Sequence, residues 1–237
     1  MRITAICLRR RPDRWAACEE HLCSVLPEDL LPCLDIFSGT DAKAAAGSGD
    51  SPIDALEERT GCHVYRGWPI TEVTDVRRCF PQLADLPDAQ AWLEYERCFS
   101  RVWRRDRARL YVDFFNRHLT MGDVGAALSH LRVAERAHAE ELPLQLVLED
   151  DAELSAEAVP ELLREVQLLE EAGVRWDLIY LGGSAQYCRA AEPAVGAPGS
   201  SLLVAGHRKV CMAYALSADG ARKLATCGFR ASVLPLD

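Results

Sequence analysis

Apolar residues in this chain fall into short dense runs separated by helical periodicities, and the alternation predicts strands and helices in turn. Residues 3–8 are apolar and β-prone and read as a first strand. Beyond a basic turn, Trp15, Cys18, Leu22 and Leu26 repeat at helical spacing, and Pro12 suits the first turn of that helix. Residues 34–37 form a second short apolar run. Leu128, Leu131, Ala134 and Ala137 mark a long helix that opens near Gly122, and residues 144–148, after Pro143, read as a buried strand. The pattern then predicts a helix over about 158–171 ending at Gly173, and a strand with a glycine turn over 176–183. Residues 201–205 and 210–216 read as a strand pair, and Ser217 as the N-cap of a helix running through Ala225.

A long helix that returns into a buried strand is a crossover unit, so the predicted class is α/β with a mostly parallel sheet flanked by helices. One domain over 1–237 is expected. The stretch at about 42–118 departs from the pattern: it begins Ala/Gly/Ser-rich, then scatters Trp, Pro and Arg, with partial helix around 88–105, and reads as an insert. Its aromatic residues could cover a sugar face, although packing is the commoner use of such rings.

The run at 144–148 ends in Glu149-Asp150-Asp151. Three acids at the carboxyl end of a buried strand repel one another and lose hydration, so they call for a positive partner. In an open α/β sheet this end of a strand is where ligands sit, and a hard divalent cation takes carboxylate oxygens. Strand alternation predicts Glu149 and Asp151 on one side, as metal ligands, and Asp150 on the other. The plainer alternative is a set of acids starting the next helix. At the end of the first strand stand Arg9, Arg10, Arg11 and Arg14, a grouping suited to a diphosphate at a helix N-terminus, or else a solvated basic turn. His130, early in the long helix, is by type more often a packed residue than a catalyst.

Charge and cysteine content narrow the classes. The net charge of −9 argues against binding nucleic acid by bulk charge. It is also uneven: residues 1–120 hold 17 basic and 19 acidic side chains, and residues 121–237 hold 10 and 17, which leaves the cations in the first half and the acidic centre in the second. None of the ten cysteines forms a CxxC pair, so zinc spacing is absent and reduced thiols are expected. The N-terminal apolar stretch is too short for a signal peptide, and no run approaches a membrane span, which predicts a cytoplasmic chain or one peripheral to a membrane.

Six segments, taken in order, resemble glycosyltransferase family 25, the lipopolysaccharide-core and collagen-type galactosyltransferases. They are residues 7–14, the Gly122-Asp123-Val124-Gly125-Ala126-Ala127-Leu128-Ser129-His130 stretch, Leu148 with the three acids, residues 176–182, residues 213–217 with Gly220-Ala221, and Pro235-Leu236-Asp237. Asp123 and Ala126 stand where the family commonly has Glu and Cys. The resemblance implies a GT-A-like fold and an inverting, metal-dependent transfer, with galactose the expected sugar. The donor would be a UDP-sugar, the cation Mn²⁺, and the acceptor a glycan, glycoprotein or lipopolysaccharide. It implies that Glu149 and Asp151 hold the metal and that Leu8, Arg9, Arg11, Arg14, Asp41, Ser129 and Asp150 surround the nucleotide sugar. The general base would be Asp237, with His130 second. GT-A enzymes often close the nucleotide site with a later segment. An end at Asp237 therefore leaves three expectations: a missing tail, two acidic ligands aided by water, or a silent module that binds a nucleotide sugar or a protein partner. A metal-dependent phosphohydrolase is a further alternative, but Cys7-Leu8-Arg9 stands where its nucleophile motif would lie.

Overall fold

The computed structural model describes residues 1–46, 52–64, 73–79, 83–94, 120–182, 193–205 and 212–231. Its described elements divide between two compact units.

The first unit takes Met1–Gly39 and Ser129–Cys227. Its strands are β1 (Arg2–Cys7), β2 (Leu34–Ser38), β3 (Leu144–Glu149), β4 (Leu178–Tyr180) and β5 (Ala213–Ser217), in the sheet order β2-β1-β3-β5-β4. β1 pairs in parallel with both β2 and β3, while β5 runs antiparallel to β3 and β4. Four strands therefore share one direction, which is the mostly parallel α/β arrangement expected of a GT-A-like fold.

Alternation assigns the strand residues to two faces. On one face Ile3, Ala5 and Cys7 of β1 and Leu146 and Leu148 of β3 pack against α1 (Pro12–Val25) and a helix over Ala158–Glu171. On the other, Val147, Tyr214 and Leu216 pack against Val133, Ala134 and Ala137 of a helix over Met121–Ala139 and Ala221 of a helix over Ala218–Thr226. Burying both faces explains why β3 reads as a nearly continuous apolar run. The exception is Gln145, fully buried, whose amide donates to Thr4 Oγ1 at 3.0 Å.

The helix signals act as their chemistry predicts. Pro12 opens α1. Gly173, at φ +65°, follows the helix over Ala158–Glu171 in the left-handed region that favours glycine. The Ser217 hydroxyl accepts the Gly220 N–H at 3.0 Å and donates to the Trp176 carbonyl at 2.8 Å. Among the described residues, the strand pair expected at 201–205 and 210–216 is not formed as such: Leu203 makes an isolated bridge to Ala194, and the later strand is β5.

The second unit takes Thr40–Leu128 and Gly228–Leu236. It includes α2 (Ala42–Ala46), α3 (Pro52–Thr60), α4 (Val73–Cys79) and the start of α5 (Met121–Ala139). Leu56, Cys62, Val64, Met121, Val124 and Leu128 form its core. Of the partial helix expected at 88–105, residues 88–94 are helical and the remainder lies outside the described residues. The helices that follow in the first unit are α6 (Ala158–Glu171) and α7 (Ala218–Thr226). Cys7, Cys18, Cys23, Cys33, Cys62 and Cys227 are free thiols. A hydrogen bond with Cys18 and burial push the Cys7 thiol well up, so it remains protonated in the core. Among the described residues no helix is long and apolar enough to cross a membrane.

Candidate functional site at the carboxyl ends of β1 and β3

The strand order places β2 and β3 on opposite sides of β1. In parallel α/β sheets the crevice at such a reversal, outside the carboxyl ends of the strands, is the usual ligand position. The arginine turn leaves β1 there and the three acids leave β3.

Leu8 is half-buried, and its carbonyl accepts the Arg11 N–H at 2.9 Å, which turns the chain into α1. Arg9 is exposed on this turn. Arg11 forks onto Asp13 at 3.0 and 2.7 Å. That fork holds the Asp13 carboxyl down at about 2. Arg11 is thus engaged within its own turn. Arg14 reaches across instead: its Nη1 lies 2.7 Å from Asp150 Oδ1 and 3.7 Å from Asp151 Oδ2. Burial pushes Asp150 up, Asp151 and Glu149 add to the rise, and Arg14 opposes it. Further along α1, His21 Nε2 accepts the Leu154 N–H at 3.1 Å, so one helix grips the loop after β3 at two points.

Glu149 follows the other face. Its Oε1 lies 3.3 Å from His130 Nε2, while His130 Nδ1 lies 2.8 Å from the Tyr214 hydroxyl. An ionised carboxylate only accepts, so Nε2 carries the proton that faces Glu149, and in the tautomer that leaves Nδ1 bare the phenol donates to it. The two rings stack with centroids 5.5 Å apart, and His130 is 2% exposed.

One expectation needs correction. Glu149 and Asp151 do not share a side with Asp150 opposite. β3 ends at Glu149, the Ala152 N–H turns back to the Glu149 carbonyl at 3.1 Å, and the alternation stops. Asp150 and Asp151 both approach Arg14, while Glu149 approaches His130. His130, second candidate for the general base, is buried, with Nε2 toward Glu149 and Nδ1 toward the Tyr214 hydroxyl.

Ser129 is buried beside His130 in α5. Asp41 belongs to the second unit, where its Oδ1 accepts the Ala44 N–H at 3.1 Å at the start of α2. Asp237 lies outside the described residues. Sequence reasoning assigned no role in the site to Tyr214 or His21: one sits in an apolar strand 84 positions from His130, the other on an ordinary helix face, and neither carries a local signal.

Among the described residues, no three His, Cys, Asp or Glu side chains converge to hold a metal ion. The donor chemistry nonetheless fits one. Glu149 and Asp151 offer hard oxygens, and Mg²⁺-type sites are commonly completed by substrate phosphates and water around one or two carboxylates.

A model of glycosyltransferase family 25 (LPS biosynthesis protein) matches residues 107–237, more than half of the chain, and takes in His130, the three acids and Tyr214. The human "Inactive glycosyltransferase 25 family member 3" is 40% identical over 125 residues, 52% of this chain and 20% of that protein. Mouse "Procollagen galactosyltransferase 2" is 30% identical over 139 residues, 58% of this chain and 22% of that protein. Xenopus laevis "Procollagen galactosyltransferase 1-B" is 33% identical over 125 residues, 52% and 20% respectively. The matches thus cover about a fifth of these relatives' own length. With its α/β sheet and the match across β3 and β5, this chain belongs to glycosyltransferase family 25.

Proposed function

We propose that this chain is a metal-dependent glycosyltransferase that moves a sugar, galactose in the first instance, from a UDP-sugar to a hydroxyl of a glycan or protein-linked acceptor, with inversion. The observation that carries the reading is the bridge from Arg14 to Asp150 and Asp151 across the crevice between β1 and β3. A cation from one strand end and carboxylates from the next supply both charges that a metal–diphosphate complex meets.

Glu149 and Asp151 would hold a divalent cation such as Mn²⁺, whose chemistry is to offset charge developing on the departing diphosphate. Arg14 and Arg9 bind phosphate oxygens through charge-assisted hydrogen bonds. The bond from the anomeric carbon to the diphosphate breaks, the acceptor oxygen bonds to the opposite face of that carbon, and the hydroxyl proton passes to a general base. Asp237 is the proposed base.

A second reading, a catalytically silent module that binds a nucleotide sugar or a protein partner, is favoured by one observation: relatives 38–40% identical to this chain are named inactive or probably inactive. The discriminating experiment titrates UDP into the full chain with Mn²⁺ and then with chelator, and follows with a transfer assay on Asp151→Ala. Mn²⁺-dependent UDP binding, with transfer lost in the variant, supports the enzyme. UDP binding without turnover supports the module, and no UDP binding in either condition overturns the nucleotide-sugar reading altogether.

A further inference from the structure

The described part of the first unit holds a cavity of about 240 Å³ between α6 and the β4 edge of the sheet, and none of the roles above uses it. Its lining divides into two kinds. Ser155, Glu161, Glu165 and Ser201 are polar, while Leu162 and Ile179 belong to the core beneath. One wall is fastened. Glu165 is 2% exposed and its carboxylate accepts from Ser200 Oγ at 2.5 Å, Ser201 Oγ at 2.8 Å and Ser201 N at 3.1 Å, with Arg164 Nη2 at 2.6 Å. Burial alone would raise this carboxyl, but the hydrogen bonds and Arg164 outweigh it and hold it below its usual value. The loop carrying Ser200 and Ser201 is therefore tied to α6, and the cavity is formed before any ligand arrives.

The position of the cavity connects it to the acids. β4 runs in the same direction as β3, so Leu181, which lines the cavity beyond the end of β4, lies toward the same edge of the sheet as Glu149. Ser155 enters from the loop that leaves Asp151. α1, which carries Arg14, and α6, which carries Glu161 and Glu165, pack on the same face. With β5 between them, β3 and β4 are two strand spacings apart, about 10 Å.

We propose that this cavity is the subsite for a neutral sugar ring of the acceptor, an inference that rests on the transferase reading. Two carboxylates against one arginine disfavour a phosphate or a sugar acid there, so the donor's diphosphate belongs elsewhere. Hydroxyl donors and acceptors beside apolar walls suit a pyranose, which presents hydroxyls at its rim and C–H groups on its face. Glu161 is the main recognition group. It is exposed, Arg164 lies 3.8 Å from it, and its oxygens can accept from sugar hydroxyls.

The test uses the full chain and two probes, methyl β-galactoside and methyl β-glucoside, followed by saturation-transfer NMR, with UDP binding measured in parallel. The variants are Ala158→Trp, which fills the cavity from its rim, and the milder, exposed Glu161→Gln, each checked by thermal melting. At least one glycoside is expected to bind saturably. That binding weakens about tenfold or more in Ala158→Trp and weakens in Glu161→Gln, while UDP affinity stays within about twofold. Equal glycoside binding in all three proteins overturns the subsite, as does absent glycoside binding in a chain that binds UDP. Glycoside binding that both variants weaken, in a chain that does not bind UDP, supports the sugar site and sinks the transferase reading instead.

Discussion

Arg14 stands on the first turn of α1, yet its nearest carboxylate is Asp150, 136 positions away and 2.7 Å distant. The bond joins the helix that follows β1 to the end of the neighbouring parallel strand β3. It has an uneven energetic meaning for its partners, because the arginine side chain is 42% exposed and the aspartate side chain 13%. Arg14→Ala leaves a mostly buried carboxylate without its cation. The expected loss of stability is about 1–3 kcal/mol, measured by urea denaturation. A larger proportional loss is expected in UDP affinity, since the same guanidinium is assigned to the diphosphate. If stability falls while UDP affinity is unchanged, Arg14 is a structural brace only.

The pH dependence follows from the direction of the Asp150 shift. Burial raises its folded-state value, so the fold favours the protonated form. That contribution is full below the unfolded aspartate value of about 3.9 and is lost as pH rises through the folded value. Asp150→Asn keeps a neutral group in place. Its melting temperature is expected to fall less than the wild type's between about pH 4 and neutrality, read by calorimetry across that range. Asp13 works in the opposite sense: held down at about 2 by Arg11, its contribution is present above the unfolded value and disappears as pH falls through about 2. Because the Arg11–Asp13 pair is exposed, Asp13→Asn should leave the neutral-pH melting temperature nearly unchanged.

The chain from Tyr214 through His130 to Glu149 makes a separate prediction. Tyr214→Phe removes the phenol and leaves a buried Nδ1 without its donor, at an expected cost of about 1–3 kcal/mol. Its second consequence is loss of orientation at Glu149. Midpoints for Mn²⁺ in UDP binding are therefore expected to rise in Tyr214→Phe and to rise further in His130→Ala. An unchanged metal midpoint in both variants would show that Glu149 needs no such support.

Much of this architecture is legible in the residue order. The arginines follow β1 and the acids follow β3, because a turn at the end of a buried strand is where a chain can carry charge to solvent. Pro12, Gly173 and Ser217 mark helix ends through local chemistry that acts within a few residues. Partnership across the sheet is less legible. His130 meets Tyr214 because β5 inserts beside β3 in reverse, and strand order has no counterpart in local spacing. The alternation argument failed at Asp151 for a comparable reason: it holds only while the backbone stays extended, and β3 turns immediately after Glu149. Glu165, buried on α6, has its explanation in Ser200 and Ser201, some 35 residues later.

Gly220 offers a test of how β4 is held against α7. A Cβ added there would lie 2.0 Å from the Asp177 carbonyl oxygen, backbone that cannot swing aside as a side chain does. That carbonyl also accepts the Ser217 N–H at 3.1 Å, and the adjoining Trp176 carbonyl accepts the Ser217 hydroxyl at 2.8 Å. Gly220→Ala must therefore shift the segment entering β4 or open the cap of α7. The expected cost is about 1–3 kcal/mol, with a lower melting temperature as the readout. Gly182→Ala is the matched control, since its added Cβ meets none of the described residues within 4 Å. Ile179 and Leu181 line the cavity beside Glu165, so displacing β4 should also weaken glycoside binding there, while the Arg14–Asp150 crevice, which β4 does not form, keeps its affinity for UDP. Equal stability of the two alanine variants would mean that the Asp177 backbone yields freely and that the close approach does not fix this edge of the sheet.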